Sequence, residues 1–275
     1  MNSNSLVRPV EKVIEEYGRE IGLALLVPLF LFLWLPIFVV AFMSFGDTVL
    51  QFPPEEFTLE YYAIFLDNSQ AWSSVITSLQ VSLVATPVAI ALAIMYSYAF
   101  AKYEFPGKGV ITLLIALPLI VPLIVVGISI TLFFGMFGGT GSYWEVVIAH
   151  VVRILPFAAL IILPSFLSFD TTLEEASKDL GADSIATFRQ VTLPNILPGV
   201  VAGGLLAFTI SFNEFVYTYF VRGSGMQTLP IYLWGRIEHT MTPEINVISI
   251  VFLAVAVVTV LLAVAITDVE RIAIR

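Results

Sequence analysis

Long apolar stretches separated by short polar segments dominate the chain. Six of them are long enough to cross a hydrocarbon core, which takes about 20 apolar residues in a helix. They lie at residues 21–43, 72–101, 110–134, 144–166, 199–221 and 246–267. The first stretch follows a long charged segment and lacks a small-residue cleavage site, so we expect a retained span rather than a signal peptide.

Residues 1–20 are polar but carry apolar side chains at helical spacing. This pattern predicts either an amphipathic helix on the inner membrane surface or a cytoplasmic extension of the first span. Both alternatives place the segment on the same side of the membrane.

The polar segment 170–198, between the fourth and fifth apolar stretches, predicts two short helices joined at a bend. Thr171 and Thr172 each stand three residues before a glutamate, the spacing at which an N-cap hydroxyl and a carboxylate satisfy each other's free amides. Gly181 tolerates the left-handed conformation and stands where a C′ residue belongs. The first helix should therefore begin at the threonines and end at this glycine.

The second helix of the segment can be capped by Asp183 or Ser184. We expect the Leu-Pro pairs at 193–194 and 197–198 to end it before the next apolar stretch. Apolar residues recur at spacings of three and four in both helices, so each should have one apolar stripe. The stripes are Leu173, Ala176 and Leu180 in the first helix, and Ile185, Phe188 and Val191 in the second.

Composition excludes a soluble domain, because 59% of the residues are hydrophobic and only 12% are charged. Orientation follows from the basic residues, since short loops rich in Lys and Arg stay in the cytoplasm. With the N-terminus inside, nine basic residues fall on inner segments: Arg8, Lys12, Arg19, Lys102, Lys108, Lys178, Arg189, Arg271 and Arg275. Only Arg222 and Arg236 fall outside. Segment 170–198 and both termini are therefore expected on the cytoplasmic side.

Three ionisable residues lie inside the predicted spans: His150 and Arg153 in the fourth and Glu214 in the fifth. Such residues are costly in a bilayer and usually face a partner, water or a solute. His150 and Glu214 come at similar depth, and Arg153 lies on the same helix face as His150. A buried ion pair between Glu214 and Arg153 is one interpretation.

The other interpretation is a polar strip that faces a solute path, with His150 and Arg153 as further candidates for path residues. The strip consists of Ser211, Glu214, Tyr217 and Thr218. A carboxylate beside an aromatic ring would suit an ammonium group. Acidic residues also concentrate in the predicted outer segments, where they either favour a cationic solute or merely keep a loop soluble.

Enzymatic function finds no support in motifs. The chain has no G-x-x-x-x-G-K-[ST] phosphate loop and no G-x-S-x-G. Its two histidines, His150 and His239, are far apart, and it has no cysteine, so neither catalytic residues nor a metal or cofactor site is expected. Gly199 and Gly203 form one G-x-x-x-G, a candidate for close helix packing.

The cytoplasmic segment resembles the "EAA" signature of binding-protein-dependent ABC importer permeases. The matching positions are Glu175, Ala176, Ser177, Gly181, Val191, Leu193 and Pro194. The family has Ala where Ser177 stands and Ile where Val191 stands, and both changes preserve shape. The resemblance implies a coupling helix that docks into a groove on a separate ATPase, with Glu175 as the anchoring carboxylate and Gly181 as the bend.

A narrower resemblance covers most of residues 38–260. Four segments are similar to the C-type permease subunit of spermidine/putrescine importers. They are SFNEFVYTYFVRG, TLPIYLWGRI, TPEINVISI and KYEFPGKG. That subgroup usually has two acids where Asn213 and Glu214 stand, and an Asn-Glu pair also occurs in sugar-importer permeases. A polyamine is the solute this resemblance implies, with a sugar, iron, thiamine or phosphonate as alternatives.

The resemblance implies an all-α polytopic membrane protein with six transmembrane helices and the type I ABC importer permease (MetI-like) architecture. Its expected parts are a cytoplasmic segment 1–20, a peripheral first helix 21–43, a periplasmic loop 44–71, a five-helix core 72–267 that includes 170–198, and a cytoplasmic tail 268–275. The implied partners are two ATPase subunits, a second homologous permease, an external solute-binding protein and membrane lipid, with no nucleic acid. The rival functions are an ion-coupled secondary transporter and a membrane scaffold.

Overall fold

A computed structural model describes residues 4–273, with side chains described for residue 20, residues 22–259 and residues 261, 262 and 265. Residues 1–3 and 274–275, which belong to the predicted terminal segments, lie outside this part. Within 4–273 the chain is helical apart from its connections and one isolated bridge between Gly46 and Phe57. The predicted all-α class is confirmed.

Twelve α-helices and one π-helical turn are described between residues 4 and 273. They are α1 (Asn4–Met43), α2 (Glu60–Asp67), α3 (Ser69–Lys102), α4 (Lys108–Ile120), α5 (Leu123–Met136), α6 (Tyr143–Leu167), α7 (Thr172–Asp179), α8 (Ser184–Thr187), the π-turn (Phe188–Thr192), α9 (Leu193–Phe212), α10 (Val216–Val221), α11 (Leu229–His239) and α12 (Glu244–Ala273).

Four helical runs in the described chain are long and apolar enough to cross a membrane. They are Gly22–Met43, Ser69–Lys102, Tyr143–Leu167 and Ser184–Phe212. A fifth span results if α4 and α5 are counted as one bent pair. In the sixth predicted stretch, the side chains of α12 are described continuously only over Glu244–Thr259. This part of the helix is apolar but shorter than a span. The count of six therefore stays a prediction.

The third predicted stretch, residues 110–134, is not one straight helix. α4 and α5 meet at an angle of 110°. Val121 at the junction has extended backbone angles, φ −73° and ψ 138°. A residue before proline is pushed out of the helical region by the proline ring, so Pro122 explains the bend.

At the N-terminus, α1 continues without interruption from the predicted inner segment into the first apolar stretch. The backbone therefore matches the alternative in which residues 4–20 extend the first span as a helix. The described span part of α1 packs on little else in the chain, and its apolar side chains are mostly exposed.

The core forms where α3, α6 and α9 pack along one another. Small residues permit the close approach. A Cβ at Gly203 would lie 3.0 Å from Ile162 Cγ1, and one at Gly199 would lie 1.9 Å from Ser165 Oγ. The G-x-x-x-G of α9 is thus a packing face against α6, as predicted.

Segment 170–198 begins without the predicted capping box. Thr171 has helical backbone angles, and its side chain makes no capping bond. The carboxylate of Asp170 instead accepts bonds from the Thr172 amide at 3.0 Å and the Thr172 hydroxyl at 2.8 Å. These bonds lower the pKa of Asp170 below its usual value. A charged acceptor one residue upstream outcompetes the neutral hydroxyl.

The bend between the two short helices follows the prediction. Gly181 has φ +91°, in the left-handed region that glycine favours. The Ala182 amide donates to the Ser177 carbonyl at 3.1 Å and closes the end of α7. Asp183 then caps α8, because its carboxylate accepts a bond from the Ala186 amide at 2.7 Å.

The second short helix does not end at the Leu-Pro pairs 193–194 and 197–198, so those predicted stops are wrong. α8, the π-turn and α9 form one helical run of 29 residues, Ser184–Phe212. Pro194 falls in the first turn of α9. A proline inside a membrane helix is tolerated where a local π adjustment satisfies the backbone groups that it frees, and the π-turn ends at Thr192, two residues before Pro194.

Glu174 connects segment 170–198 to the core, and it is only 6% exposed. One carboxylate oxygen accepts a bond from Lys102 Nζ at the end of α3. The other accepts from the Thr192 hydroxyl at 2.7 Å, in the π-turn. Burial alone would raise the pKa of Glu174, but the bonds from Lys102 and Thr192 outweigh it and lower the pKa. The sequence predicts this residue only as the capping-box partner of Thr171.

Gly203→Leu is expected to destabilise the protein, because a side chain there would be forced into Ile162. Overpacking of this kind costs about 1–3 kcal/mol. Thermal unfolding of the purified protein in detergent measures the effect. Ala202→Leu is the matched control, since Ala202 is exposed on the same helix. Equal melting temperatures for the two variants would contradict close packing at Gly203.

Glu174→Gln should loosen α7 from α3, because it removes the charge that Lys102 and Thr192 hold. Hydrogen bonds to charged groups contribute about 1.5–3 kcal/mol each. Amide hydrogen exchange of residues 172–179 should rise in this variant. Glu175→Gln makes the same chemical change at an exposed neighbour and should leave the exchange unaltered.

The same contact predicts a pH dependence. The pKa of Glu174 is lower in the folded protein, so its stabilisation is present above the unfolded pKa, about 4.3, and is lost as the pH falls through the folded pKa. Protection of α7 in the wild type should therefore decline below about pH 4. Glu174→Gln should abolish this decline, and an identical pH profile in both proteins would refute the assignment.

Candidate functional site

The fifth apolar stretch is broken in its middle. α9 ends at Phe212 and α10 begins at Val216, with Asn213, Glu214 and Phe215 between them. Non-helical backbone at membrane depth requires partners inside the protein. Glu214 supplies one, because its Oε1 accepts a bond from the Tyr217 amide at 2.7 Å in the first turn of α10.

Glu214 also forms an ion pair across to α6. Arg153 Nε donates to Glu214 Oε2 at 3.2 Å, and the two side chains are 16% and 5% exposed. The guanidinium carbon lies 5.1 Å from the centre of the Phe157 ring and 6.0 Å from that of Tyr217. The ion pair considered from the sequence is therefore present in this structure.

His150 lies beside the ion pair and is buried, with a hydroxyl at each ring nitrogen. Nδ1 is 2.8 Å from Ser211 Oγ and Nε2 is 2.8 Å from Thr218 Oγ1. The Thr218 hydroxyl donates to the Glu214 carbonyl at 3.3 Å. Thr218 therefore accepts from Nε2–H, and Ser211 donates to Nδ1. This chain of bonds links the imidazole to the backbone at the helix break.

The structure thus brings all six predicted path residues together between α6 and the α9–α10 break. Their side chains face one another, and the four on α9, α10 and the break are buried. Among described atoms, the Tyr217 hydroxyl is buried and has no hydrogen-bond partner. The cluster offers a carboxylate, two aromatic rings and several hydroxyls, which is the chemistry that recognises a cationic group.

Sequence reasoning missed a second polar residue that faces outward at the same break. Asn213 is exposed and lines two cavities of about 310 and 400 Å³, which also share Ser249 and Phe252. The smaller cavity is walled by the rings of Phe215 and Trp234, whose centroids are 5.5 Å apart. Neighbouring residues at a break point in opposite directions, which helical periodicity does not reveal.

The end of the molecule that carries α11 holds a buried carboxylate, which the sequence places only among the acidic residues of the predicted outer segments. Glu244, at the start of α12, is 1% exposed and accepts bonds from Asn68 Nδ2 at 2.9 Å and from Arg236 Nη2 at 2.5 Å. Asn68 also donates to the Tyr232 hydroxyl at 2.7 Å, and burial raises the pKa of Tyr232. The cluster joins α11 and α12 to the start of α3. In the described part of the chain, no group of three or more His, Asp or Glu could hold a metal ion.

The EAA-like positions lie at the opposite end, on α7, α8 and the start of α9. Glu175 and Ala176 are exposed, Ser177 is half-buried, and its hydroxyl is 3.3 Å from that of Thr187. Val191 and Leu193 are half-buried, Pro194 is exposed, and Gly181 forms the bend. We define the docking patch as the exposed side chains Leu173, Glu175, Ala176, Leu180 and Ile185. Leu180 and Ile185 are 90% and 79% exposed, as expected for a protein contact surface.

Comparison with known proteins follows from this geometry. Residues 85–270 match the family model of the binding-protein-dependent transport system inner membrane component. Similar relatives include the spermidine/putrescine transport system permease protein PotC of Escherichia coli K12, 26% identical over 244 residues, which are 89% of this chain and 92% of the relative. The putrescine transport system permease protein PotI of the same strain is 29% identical over 234 residues, 82% of each chain.

Solved structures show the same fold. The crystal structure of a bacterial ABC transporter involved in the import of the acidic polysaccharide alginate matches with a TM-score of 0.69 at 18% identity, covering 93% of this chain and 96% of that chain. The family is one of non-enzymatic membrane subunits, and ATP hydrolysis belongs to a separate subunit. The chain therefore belongs to the family of inner membrane components of binding-protein-dependent transport systems and is a permease subunit of an ABC importer.

Proposed function

We propose that the chain forms, with a second homologous permease, the translocation path for a polyamine such as spermidine or putrescine. The observation that carries the proposal is the buried carboxylate of Glu214 at a break in a membrane helix, beside the ring of Tyr217. The similarity to relatives that are named as polyamine permeases supports the same solute.

The path residues in this proposal are the cluster between α6 and the break. An ammonium group needs an acceptor of negative charge and tolerates aromatic faces. Glu214 provides the charge, and the ring of His150 nearby is bonded to the hydroxyls of Ser211 and Thr218. A cationic solute has to compete with Arg153 for the carboxylate of Glu214.

The docking patch on α7 and α8 is the proposed contact with the ATPase. Glu175 projects from a surface of exposed apolar side chains, and Gly181 sets the angle between the two short helices. Glu174 attaches α7 to α3 through Lys102. A movement of the docking patch would therefore be transmitted to the core. Coupling thus requires no chemistry in this chain.

In the proposed assembly this chain has six spans and both its termini in the cytoplasm, with α1 as a peripheral helix and α12 as the sixth span. Its other subunits are a second permease, two copies of the ATPase and an external solute-binding protein. Exposed apolar side chains along α1, α4 and α5 support contacts with the second permease or lipid.

Uptake of radiolabelled spermidine into proteoliposomes that contain the complete importer tests the solute. We expect ATP-dependent uptake that putrescine inhibits, vanadate abolishes and an uncoupler leaves intact. Competition by a sugar, thiamine, iron or a phosphonate without competition by polyamines would contradict the polyamine assignment. Vanadate-insensitive uptake that collapses with an uncoupler would contradict the importer mechanism.

Gly181→Val should uncouple import from ATP hydrolysis. A left-handed backbone costs a non-glycine residue about 1–2 kcal/mol, so the bend between α7 and α8 should shift. Uptake in the same proteoliposomes is expected to fall about tenfold. Gly109→Val is the control, because Gly109 lies in α4 without positive φ and a Cβ there meets nothing within 4 Å. Normal uptake by Gly181→Val would remove the proposed role of the bend.

A further inference from the structure

The guanidinium of Arg153 occupies a site built for a cation. Its Nε bonds to Glu214 Oε2, and its carbon lies 5.1 Å and 6.0 Å from the ring centres of Phe157 and Tyr217. A carboxylate flanked by two aromatic faces attracts ammonium and guanidinium groups alike. Nothing in this arrangement requires the cation to belong to the protein.

The other acceptors of Glu214 are used without Arg153. Glu214 Oε1 holds the Tyr217 amide, and the Glu214 carbonyl receives the Thr218 hydroxyl. His150 is engaged by Ser211 and Thr218. Glu214 Oε2 is therefore the acceptor on which a cation depends, and Arg153 fills it.

The contact itself is suited to release. Arg153 reaches Glu214 through one bond at Nε, at 3.2 Å, rather than through the paired bonds that a guanidinium and a carboxylate can form. Its side chain is also more exposed than that of Glu214, 16% against 5%. A long side chain with partial access to the surface can leave the pair, whereas Glu214 stays fixed by the Tyr217 amide.

We propose that Arg153 is a resident competitor: its guanidinium fills the cation site of Glu214, Phe157 and Tyr217, and an ammonium-bearing solute enters by displacing it. This inference rests on the proposed function. A neutral solute cannot make the exchange, because it would leave a buried carboxylate without a counter-charge. The exchange therefore selects cationic solutes. When no solute is bound, the guanidinium of Arg153 occupies the cation site.

Equilibrium binding to the assembled importer tests this exchange. The permeases and ATPase are placed in nanodiscs without the solute-binding protein, so that binding reports the membrane site alone. The two probes are radiolabelled spermidine and radiolabelled methylguanidinium. Methylguanidinium carries the guanidinium group that the substitution Arg153→Met removes. Arg153→Met should bind both about tenfold more tightly than the wild type, because the competitor is gone. The double variant Arg153→Met with Glu214→Gln should lose this gain.

Arg222→Met is the matched control, since Arg222 follows α10 and bonds to the Met226 carbonyl, away from Glu214. A well-assembled Arg153→Met complex that binds both probes with wild-type affinity would overturn the proposal. Arg153 would then have only a structural role. If Arg153→Met fails to assemble, recovery of assembly by added methylguanidinium supports the proposal, and no recovery overturns it.

The two probes separate this inference from the solute assignment. Tighter methylguanidinium binding by Arg153→Met, in an importer that takes up no spermidine, would keep the cation site and reject the polyamine. Spermidine uptake by the wild type, with no gain for either probe in Arg153→Met, would keep the polyamine and reject the competitor.

Discussion

A hydrocarbon environment offers no hydrogen bonds, so backbone groups and charges at membrane depth depend on partners within the protein. Glu214 meets this requirement for the broken fifth stretch. Its carboxylate serves the Tyr217 amide and the Arg153 side chain at once, while its carbonyl receives Thr218. Two of these contacts lie within the broken stretch and the third crosses to α6. The break is therefore held both from within its own stretch and from α6.

A second carboxylate plays the corresponding part at the end of the molecule that carries α7. Glu174 joins α3 to α7 through Lys102 and joins α7 to the π-turn through Thr192. Its neighbour Glu175 is exposed. Adjacent glutamates thus differ: Glu174 holds the short helix to the core, and Glu175 remains on the surface. The proposed coupling depends on this attachment, because a docking patch that was not fixed to the core would move without transmitting force.

Local signals predicted the parts of the structure that depend on local geometry. Gly181 and Asp183 behave as expected, because a left-handed bend and an N-cap involve only nearby residues. The capping box failed because Asp170, one position away, is the stronger acceptor. Glu174 and Glu175 look alike in the sequence, and the residue that distinguishes them, Lys102, is 72 positions away. For the same reason the six path residues could be grouped by depth, but their bonds to one another could not be derived.

The unbroken run from Ser184 to Phe212 has a mechanical consequence. Its 29 residues give a helical run about 43 Å long, because the prolines within it do not interrupt the helix. If the run moves as one piece, a tilt of about 5° at Ser184 shifts its far end by about 4 Å. The far end is Phe212, next to Asn213 and Glu214. A small rotation of α8 would thereby become a larger displacement at the point where the helix stops.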